Sequence, residues 1–447
     1  MLLSFSVTNY RSFDAEQTFD MRASKRLTPA PEPPYCYPVP DTEGRVLRVA
    51  ALYGANGAGK SNLVMALWTL RRLVLEGAPP DKLLPYEPFL LGAESANGPT
   101  TFDVQFLHDG KVFRYGIAYD AFRVHEEWLD VYEGTKERNL FSRTTDENGC
   151  VAVELGRVAT SDSEPGKIKA LAQVGARPNQ PFMTEVVNLG DPDAQGPRFR
   201  SAVDWLKHKL VALAPDFLSG DLIKLIAEDP RFLGFARQFL REAGTGIAGL
   251  GLETRRMDLA SSPYETMPPW GVHVGDGLVT FETAGSTTTF RRIMALHDSA
   301  SGQPKEFPFS LESDGSKRLL HLLRVLYLLE EQGGVFVIDE LERSIHPSLA
   351  RKFIEFFLKA AGKRQSQLIF TTHETTLLDL DLLRRDGIWF AEKDDKGASQ
   401  LYSLTDFKVR KDLQIEKGYL HGRFGAIPFL GGIDRLIEER AATEAGA

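Results

Sequence analysis

Eight consecutive residues of this 447-residue chain have the types and spacing that bind a chain of phosphates. They follow the pattern GxxxxGKS and are Gly54, Ala55, Asn56, Gly57, Ala58, Gly59, Lys60 and Ser61. Glycines at this spacing let the backbone curl, so that successive N–H groups point at phosphate oxygens. Lys60 is expected to reach the β- and γ-phosphates, and Ser61 to ligate Mg²⁺. The segment therefore predicts a site for ATP and Mg²⁺.

Two acidic residues follow an apolar run in the second half of the chain. The run, residues 335–338, is typical of a buried strand, and Asp339 and Glu340 come directly after it. Because ligands of open α/β sheets bind at the carboxyl ends of strands, Asp339 is expected to hold Mg²⁺. Glu340 is placed to orient or deprotonate an attacking water. Seen alone, the run could be a core strand that ends in surface acids, but beside a phosphate loop it favours hydrolysis.

A capped helix start lies before this strand. Ser313 is the expected N-cap of a helix that runs from Lys317 to about Glu331, and Gly315 would let the backbone approach a ligand closely. Because the start of a helix attracts anions, these residues predict a second phosphate contact. Without the other motifs, an ordinary capped helix would be the preferred interpretation.

The order of these motifs resembles that of ABC-type ATPases. Residues 312–316 are similar to the LSGGQ signature of that family, although Glu312 stands in place of Leu and Asp314 in place of the first Gly. In the family, the signature binds the γ-phosphate of an ATP held by the other subunit. The resemblance therefore implies a head-to-tail homodimer, or a higher even oligomer, in which Ser313 and Gly315 contact the nucleotide of the second copy.

Further segments carry the same resemblance. An apolar strand ends at His373, where ABC-type ATPases place a histidine that contacts the γ-phosphate and the attacking water. Residues 341–347 resemble the D-loop that crosses the dimer interface, which makes Ser344 and His346 candidate contacts. For the glutamine of the Q-loop, Gln180 is a guess.

The first residues of the chain resemble the opening of RecF and SMC-like ATPases. The segment in question, residues 5–13, reads FSVTNYRSF. In those proteins this loop sits beside the nucleotide, which implies that Arg11 or Ser12 contacts ATP. A surface turn is the alternative interpretation for both residues.

The flanking sequence predicts the elements that position these residues. A buried strand, residues 46–53, precedes the phosphate loop, and a helix from Ser61 to about Leu75 follows it. Short alternating segments between residues 101 and 155 predict an antiparallel sheet. With the motif order above, this favours an α/β fold: a P-loop NTPase of the ABC-ATPase type with an antiparallel β subdomain and a helical insertion, and no long coiled coil.

Four regions are expected along the chain. Residues 1–180 would form the N-terminal part of the ATPase core, with the antiparallel subdomain, and residues 181–245 the helical insertion. Residues 246–400 would form the C-terminal part of the core, and residues 401–447 a mixed C-terminal segment. Within the insertion, residues 204–215 are predicted to form an amphipathic helix.

Composition and charge narrow the class of protein. Hydrophobic residues make up 43% and charged residues 26%, as in globular proteins, and no segment predicts a membrane span. The net charge of −8 argues against DNA binding through bulk charge, so DNA is a possible partner without an evident site. Cys36 and Cys150 have no disulfide or zinc spacing, which fits a cytoplasmic protein.

Over nearly its whole length the chain resembles the stand-alone AAA-family ATPases related to the overcoming-lysogenization-defect (OLD) proteins. The likeness rests on four segments: Ser313-Asp314-Gly315, Asp339-Glu340-Leu341-Glu342 with His346-Pro347, residues 389–393 and residues 422–428. Members serve in bacterial abortive-infection and phage-defence systems, including the ATPase subunit of PARIS-like systems, often beside a separate nuclease or toxin. No later acidic pair of the Toprim nuclease type follows Glu392, so no nuclease activity is expected in this chain.

The resulting hypothesis is a Mg²⁺-dependent ATPase that dimerises as a switch and controls a separate effector in an anti-phage system. One alternative is a RecF-like DNA-repair ATPase that binds DNA directly. A second is a scaffold that binds ATP without hydrolysing it, against which the intact set of Lys60, Asp339, Glu340 and His373 argues. A transporter role is the least favoured, because the stretch between the phosphate loop and Ser313 is too long.

Overall fold

The computed structural model describes residues 1–25, 27, 35–159, 166–213, 221–258, 272–273, 279–284, 287–300, 302–361, 364–408 and 415–427. Within these residues the strands, in chain order, are β1 (Leu2–Thr8), β2 (Gln17–Asp20), β3 (Cys36–Pro38), β4 (Arg45–Leu47), β5 (Val49–Gly54), β6 (Thr100–His108), β7 (Lys111–Tyr119), β8 (Val124–Glu133), β9 (Lys136–Thr145), β10 (Val151–Leu155), β11 (Leu210–Leu213), β12 (Ile247–Asp258), β13 (Val272–His273), β14 (Val279–Ala284), β15 (Thr287–His297), β16 (Lys305–Pro308), β17 (Val335–Ile338), β18 (Gln367–Thr371), β19 (Ile388–Lys393) and β20 (Ser399–Ser403). The α-helices are α1 (Lys60–Glu76), α2 (Gly166–Val174), α3 (Phe182–Asn188), α4 (Pro192–Gln195), α5 (Pro197–Asp204), α6 (Asp221–Glu228), α7 (Pro230–Glu242), α8 (Asp314–Glu331), α9 (Pro347–Ala361) and α10 (Ile415–Leu420).

The central sheet has the strand order β11-β17-β18-β5-β19-β20. Its first five strands are parallel to their neighbours, and β20 is antiparallel to β19. All six residues of β5 are buried, because both faces of the sheet are covered. Ala50 and Leu52 pack in the cluster that contains α1, whereas Val49, Ala51 and Tyr53 pack in the cluster that contains residues of α8 and α9. The carboxyl ends of β5, β17 and β18 therefore meet at one edge of a rigid layer.

Part of the predicted helical insertion belongs to this sheet instead. The stretch 204–215 was expected to be an amphipathic helix, yet α5 ends at Asp204, a π-helical turn covers Trp205–Lys209, and β11 follows. Leu206, Leu210 and Leu213 have helical spacing, which explains the wrong prediction. β11 pairs in parallel with β17, so the apolar Leu210–Leu213 segment finds its partner far away in the chain.

A seven-stranded sheet with the order β10-β9-β8-β7-β6-β1-β2 forms the second layer. The neighbouring strands whose pairing the structure gives are antiparallel, so the predicted antiparallel subdomain is confirmed. Alternate side chains of β6, such as Phe102, Val104 and Phe106, are fully buried. They join the same core cluster as α1, which fixes this sheet against the phosphate-loop helix.

A third sheet, β12-β15-β14-β13 with β16 on β15, packs beside α8. Its core side chains, including Ile293, contact a cluster that holds Phe232 and Leu240 of α7 and Leu319 and Leu323 of α8. The helix that starts after Ser313 is thus held between the central sheet and this third sheet. It begins at Asp314, three residues earlier than predicted.

The α-helices of the described residues are too short for a long coiled coil, since the longest of them, α8, has 18 residues. None of these helices combines the length and the apolar character needed to cross a membrane. Cys36 and Cys150 are both free thiols.

Candidate functional site

The phosphate loop connects β5 to α1. β5 ends at Gly54 and α1 begins at Lys60, and Gly57 and Gly59 between them have positive φ angles of 78° and 105°. A Cβ atom on Gly59 would overlap with the Ser399 hydroxyl, so this position excludes a larger residue for steric as well as conformational reasons. Asn56, Gly57 and Ser61 are exposed at the mouth of the loop, whereas Ala58 and Gly59 are buried.

Lys60 lies under this loop and close to a group of carboxylates. Its ammonium donates hydrogen bonds to the carbonyl oxygens of Gly54 and Ala55, at 2.9 and 3.0 Å. Burial lowers the pKa of Lys60 to about 8. The negative charges of Asp339, Glu340 and Glu342 oppose this shift, which shows that they lie near the ammonium. Because β5, β18 and β17 are parallel neighbours, Lys60 and the acids after β17 lie at the same edge of the central sheet.

Three hydroxyl and amide groups support the loop from below, and only one of them was considered from the sequence. The Ser12 hydroxyl accepts hydrogen bonds from Asn62 Nδ2 and from Ser399 Oγ, both at 2.7 Å. Ser399 Oγ also lies 2.7 Å from the carbonyl oxygen of Ala58. Ser399 is a lone serine on the β19–β20 hairpin, and no sequence pattern signals its contact with a loop 341 residues earlier.

Arg11 and Ser12 were alternatives for a contact with the nucleotide, and the structure separates them. Ser12 is buried beneath the phosphate loop, as described above. Arg11 is half-buried, has a left-handed backbone with φ of 51°, and forms an ion pair with Glu87. Ser12 therefore contacts the loop directly, whereas the Arg11 guanidinium is engaged with Glu87.

Asp339 and Glu340 follow β17 at the same edge of the sheet. Asp339 is only 3% exposed and accepts a hydrogen bond from the Thr371 hydroxyl at the end of β18. The same hydroxyl accepts the backbone N–H of Glu340 at 2.8 Å. Glu340 has a φ of 46°, a conformation that costs a residue other than glycine about 1–2 kcal/mol. Its carboxylate is partly exposed and lies 3.9 Å from the Arg343 guanidinium.

Arg318, in the second turn of α8, holds these acids in place. Its Nη2 donates to the carbonyl oxygens of Asp339 and Glu340, both at 2.7 Å. Burial lowers the pKa of this guanidinium, while the Asp339 charge opposes the shift. Arg318 was not among the residues predicted from the sequence; the only signal there is an arginine placed directly before the apolar pair Leu319–Leu320.

His373 follows β18 at the same edge of the sheet and is exposed. Partial burial and the charge of Lys60 lower the pKa of His373, which favours the neutral imidazole. Glu342, Glu340 and Asp339 oppose the shift, which places the ring within their electrostatic reach. The backbone N–H of His373 donates to Glu342 Oε1 at 2.7 Å.

The start of α8 has the expected cap, but the reason for Gly315 differs from the one predicted. The Ser313 hydroxyl accepts the Ser316 N–H at 3.1 Å. A Cβ atom on Gly315 would lie 2.7 Å from the carbonyl oxygen of Ser344 in the same chain. Close packing within the chain is therefore sufficient to require glycine here, whether or not a ligand also approaches.

Three sequence candidates remain, the D-loop residues Ser344 and His346 and the Q-loop candidate Gln180. Ser344 is exposed with a φ of 62°, and His346 Nδ1 accepts the Ser348 N–H at 3.2 Å in the first turn of α9. Gln180 is wrong as a Q-loop candidate. It is buried beside Gly77, at the carboxyl end of α1, and donates to Glu185 at 2.7 Å. The 17-residue length of α1 separates it from the phosphate loop by roughly 25 Å.

The donor atoms of the pocket suit Mg²⁺ bound together with phosphates. Within the described residues, no group of three or more His, Cys, Asp or Glu side chains could hold a metal alone. Mg²⁺ needs no such cage, because it is usually held by one or two carboxylates, water and substrate phosphates. The buried Asp339 carboxylate and the exposed Ser61 hydroxyl in the first turn of α1 fit this donor set.

Three solved structures are similar to the chain in outline. The SMC head domain from Thermotoga maritima is 14% identical, with a TM-score of 0.38, over 91% of this chain and 99% of that one. An SMC head bound to the C-winged helix domain of ScpA is 12% identical, with a TM-score of 0.40, over 90% and 97%. An Smc head from Pyrococcus furiosus, with an extended coiled coil and bound to the C-terminal domain of ScpA, is 14% identical, with a TM-score of 0.36, over 94% and 98%. At these TM-scores, the likeness supports no argument about function.

The family comparison is more informative. No curated protein matches the chain. Residues 49–149 and 228–379, more than half of the chain, match the family described as "AAA domain, putative AbiEii toxin, Type IV TA system". The first range contains the phosphate loop, and the second contains Ser313, Asp339, Glu340 and His373. The chain therefore belongs to this family of AAA-type, P-loop ATPases.

Proposed function

We propose that the chain is a Mg²⁺-dependent ATP hydrolase. One observation carries the proposal: Lys60, Asp339, Glu340 and His373 come from separate segments and lie at the same carboxyl edge of the central sheet, after the neighbouring strands β5, β17 and β18. Each has the chemistry that one part of phosphoryl transfer to water requires. A protein that only bound ATP would not need a carboxylate and a neutral histidine placed together near the loop lysine.

In the proposed reaction, the loop N–H groups and Lys60 bind the β- and γ-phosphates. Ser61 and Asp339 would hold Mg²⁺, which when bound neutralises charge on the phosphate oxygens. Glu340 orients a water and takes its proton as the water oxygen bonds to the γ-phosphorus and the bond to the ADP oxygen breaks. The His373 imidazole donates a hydrogen bond from its ring N–H to a γ-phosphate oxygen.

We also propose that two copies close head to tail around ATP and that this closure is the switch. The start of α8 supports the idea, because Leu311 is 74% exposed and the Asp314 side chain is 83% exposed. Ser313 and Asp314 are themselves exposed, so this helix start lies at the surface, where a second copy can approach it. Ser313 and Gly315 would complete the site of the partner.

Glu340→Gln tests the hydrolase and the switch together. The variant keeps the shape of the side chain but cannot take the proton, so ATP and Mg²⁺ should trap a closed dimer on gel filtration and phosphate release should stop. Lys60→Ala is the matched control, because it should prevent both ATP binding and dimerisation. A Glu340→Gln variant that hydrolyses ATP at the wild-type rate would refute the hydrolytic role, and one that binds ATP but stays monomeric would refute the switch.

The biological role we propose is that of the ATPase and sensor subunit of a bacterial anti-phage, abortive-infection system that controls a separate effector. The family description, which names an AbiEii toxin and a type IV toxin–antitoxin system, supports this role. The test is phage plating on cells that express the chain with its neighbouring reading frames. Protection should need the neighbouring frame and should disappear with Lys60→Ala. Toxicity from this chain alone would contradict a separate effector.

Direct DNA binding, as in a RecF-like repair ATPase, is a second candidate that one feature favours. A groove of about 790 Å³ beside β11 is lined by five Lys or Arg residues and only two acids, in a chain with a net charge of −8. Lys207, His208 and Lys224 in this lining are exposed, without an ion-pair partner among the residues that the structure describes.

The salt dependence of oligonucleotide binding tests this second candidate. Each phosphate contact contributes about 0.7 to the slope of log K against log salt for single strands. Lys207→Glu with Lys224→Glu should therefore weaken binding and reduce the slope by about 1.4, two contacts at that value. Lys111→Glu with Lys136→Glu, two exposed lysines on the antiparallel sheet, is the control. Equal binding by both double variants would exclude the groove as the DNA site.

A further inference from the structure

Glu342 is a carboxylate for which neither the proposed reaction nor the sequence motifs provide a task. It lies two residues after Glu340, in the turn 340–346 that connects β17 to α9. One carboxylate oxygen, Oε1, accepts the backbone N–H of His373 at 2.7 Å. The other, Oε2, is buried and has no hydrogen-bond partner within the described residues. A buried carboxylate oxygen without a partner needs a reason, because leaving an acceptor unsatisfied is unfavourable.

The turn 340–346 contacts two parts of the site. On one side, Gly315 packs directly against the Ser344 carbonyl, so the turn touches the start of α8. On the other side, Glu342 holds the main chain at His373. The strained φ angles of Glu340 and Ser344, 46° and 62°, lie in the same short segment. Strain of this kind persists only where the surroundings hold it, and it is common at switch segments.

We infer that Glu342 is a positioning residue that couples the turn 340–346 to His373. Glu340 and Leu341 bond to Thr371 at the end of β18, and Glu342 extends this connection to His373 itself. A shift of the turn, produced by a change at the start of α8, would therefore move the main chain at His373. The inference rests on the proposed hydrolase function for its effect on catalysis, but the physical link itself does not depend on ATP. Glu342 need not touch the nucleotide in order to act.

The negative charge of the Glu342 carboxylate strengthens its hydrogen bond to the His373 N–H. A hydrogen bond from an N–H to an ionised carboxylate is shorter and stronger than a neutral one. Glutamine at this position would keep an oxygen acceptor at the same reach, whereas alanine would remove the acceptor. The two variants therefore separate the bond from the charge.

The kinetic test compares Glu342→Ala with Glu342→Gln. Loss of the bond in Glu342→Ala should lower kcat by about tenfold to a hundredfold, the rate equivalent of one charge-assisted hydrogen bond, with little change in KM for ATP. Glu342→Gln keeps an acceptor but loses the charge, so it should restore part of kcat, with a loss clearly smaller than that of Glu342→Ala. Asp406→Ala is the matched control: the Asp406 carboxylate also accepts a backbone N–H, from Ser403 at 2.9 Å, but it lies outside the site.

A double-mutant cycle tests whether Glu342 acts through His373. If it does, Glu342→Ala should add less than about twofold to the loss already caused by His373→Ala, since coupled residues are not additive. Full additivity would overturn the inference. Equal losses in Glu342→Gln and Glu342→Ala would also overturn it, because the charge and not the bond would then matter.

Amide hydrogen exchange of the segment around His373 provides a measurement without ATP. Glu342→Ala should speed exchange in residues 371–376, and Asp406→Ala should not. Unchanged exchange would overturn the coupling even in an active enzyme. Faster exchange in a chain whose wild type has no ATPase activity would support the coupling while refuting the proposed hydrolase function, so the two failures are distinguishable.

Discussion

Replacement of Gly315 by alanine should have two opposite effects on the free energy of unfolding, a gain in helix preference and a steric clash. Gly315 lies in the first turn of α8, and alanine is preferred over glycine in a helix by up to about 1 kcal/mol. The new Cβ atom, however, would lie 2.7 Å from the Ser344 carbonyl oxygen, whereas ordinary van der Waals contact begins at 3.4 Å. The turn that carries Ser344 must therefore move by more than half an ångström or the helix start must shift.

The size of the effect follows from these terms. Overpacking by one methyl group costs about 1–3 kcal/mol, of which the helix preference returns up to about 1 kcal/mol. We expect Gly315→Ala to lower the free energy of unfolding by about 0–2 kcal/mol. Because the displaced turn carries Glu340 and Glu342, we also expect a loss of ATPase activity larger than this loss of stability would suggest.

Gly234 supplies a matched control for the same substitution. It lies inside α7, is exposed, and has no atom within 4 Å of the position that a Cβ would occupy. Gly234→Ala should stabilise the fold by about 0.5–1 kcal/mol and leave ATPase activity unchanged. Thermal unfolding and phosphate release of both variants decide the matter. If Gly315→Ala stabilised the protein as much as Gly234→Ala and kept full activity, the close contact with Ser344 would be refuted.

Three further predictions concern the interface, the acids and the antiparallel sheet. The Leu311 side chain is 74% exposed in the single chain, and we expect the dimer to bury it. Because burial of a leucine contributes about 1.5–3 kcal/mol, Leu311→Asp should weaken the ATP-bound dimer by tenfold or more, as measured by gel filtration. An unchanged dimer would place Leu311 outside the interface. Arg318→Met should lower kcat by about tenfold or more, because the carbonyls of Asp339 and Glu340 lose their donor. The loss of stability in thermal unfolding should be smaller, because the variant also removes a buried charge. A wild-type kcat would show that Asp339 and Glu340 do not need the Arg318 guanidinium. Burial raises the pKa of Asp130 from 3.8 to about 6, so the folded state binds its proton more tightly than the unfolded chain, and the contribution of this group to stability should fall as pH rises through this window. Asp130→Asn should remove this contribution, so the difference in the free energy of unfolding between wild type and variant should change between pH 4 and 7 in urea unfolding, and a constant difference would contradict it.

Local sequence was enough to predict the elements that carry the candidate site residues. The phosphate loop lies between β5 and α1, and Asp339 and Glu340 follow the short buried strand β17. Ser313 caps α8 through the Ser316 N–H. These features depend on residues within a few positions of one another, so periodicity, glycine spacing and capping rules can detect them.

The contacts that hold the site together were decided by the tertiary structure. Ser399 supports the phosphate loop across 341 residues, and Arg318 binds the carbonyls after β17 across 21 and 22 residues. Gln180, a local guess, lies at the wrong end of α1. The residues next to these side chains in the sequence do not indicate which strands are neighbours in the sheet.

The segment Leu210–Leu213 shows why local sequence could not predict every element of the fold. The spacing of its apolar residues suits a helix and their composition suits a strand, and a run this short does not favour one over the other clearly. Pairing with β17 satisfies its backbone groups and buries its side chains in the central sheet, which outweighs local preference. The sequence by itself determined which residues can do chemistry in this chain, and the order of strands in the sheet decided which of them meet, because that order depends on interactions among all the strands together.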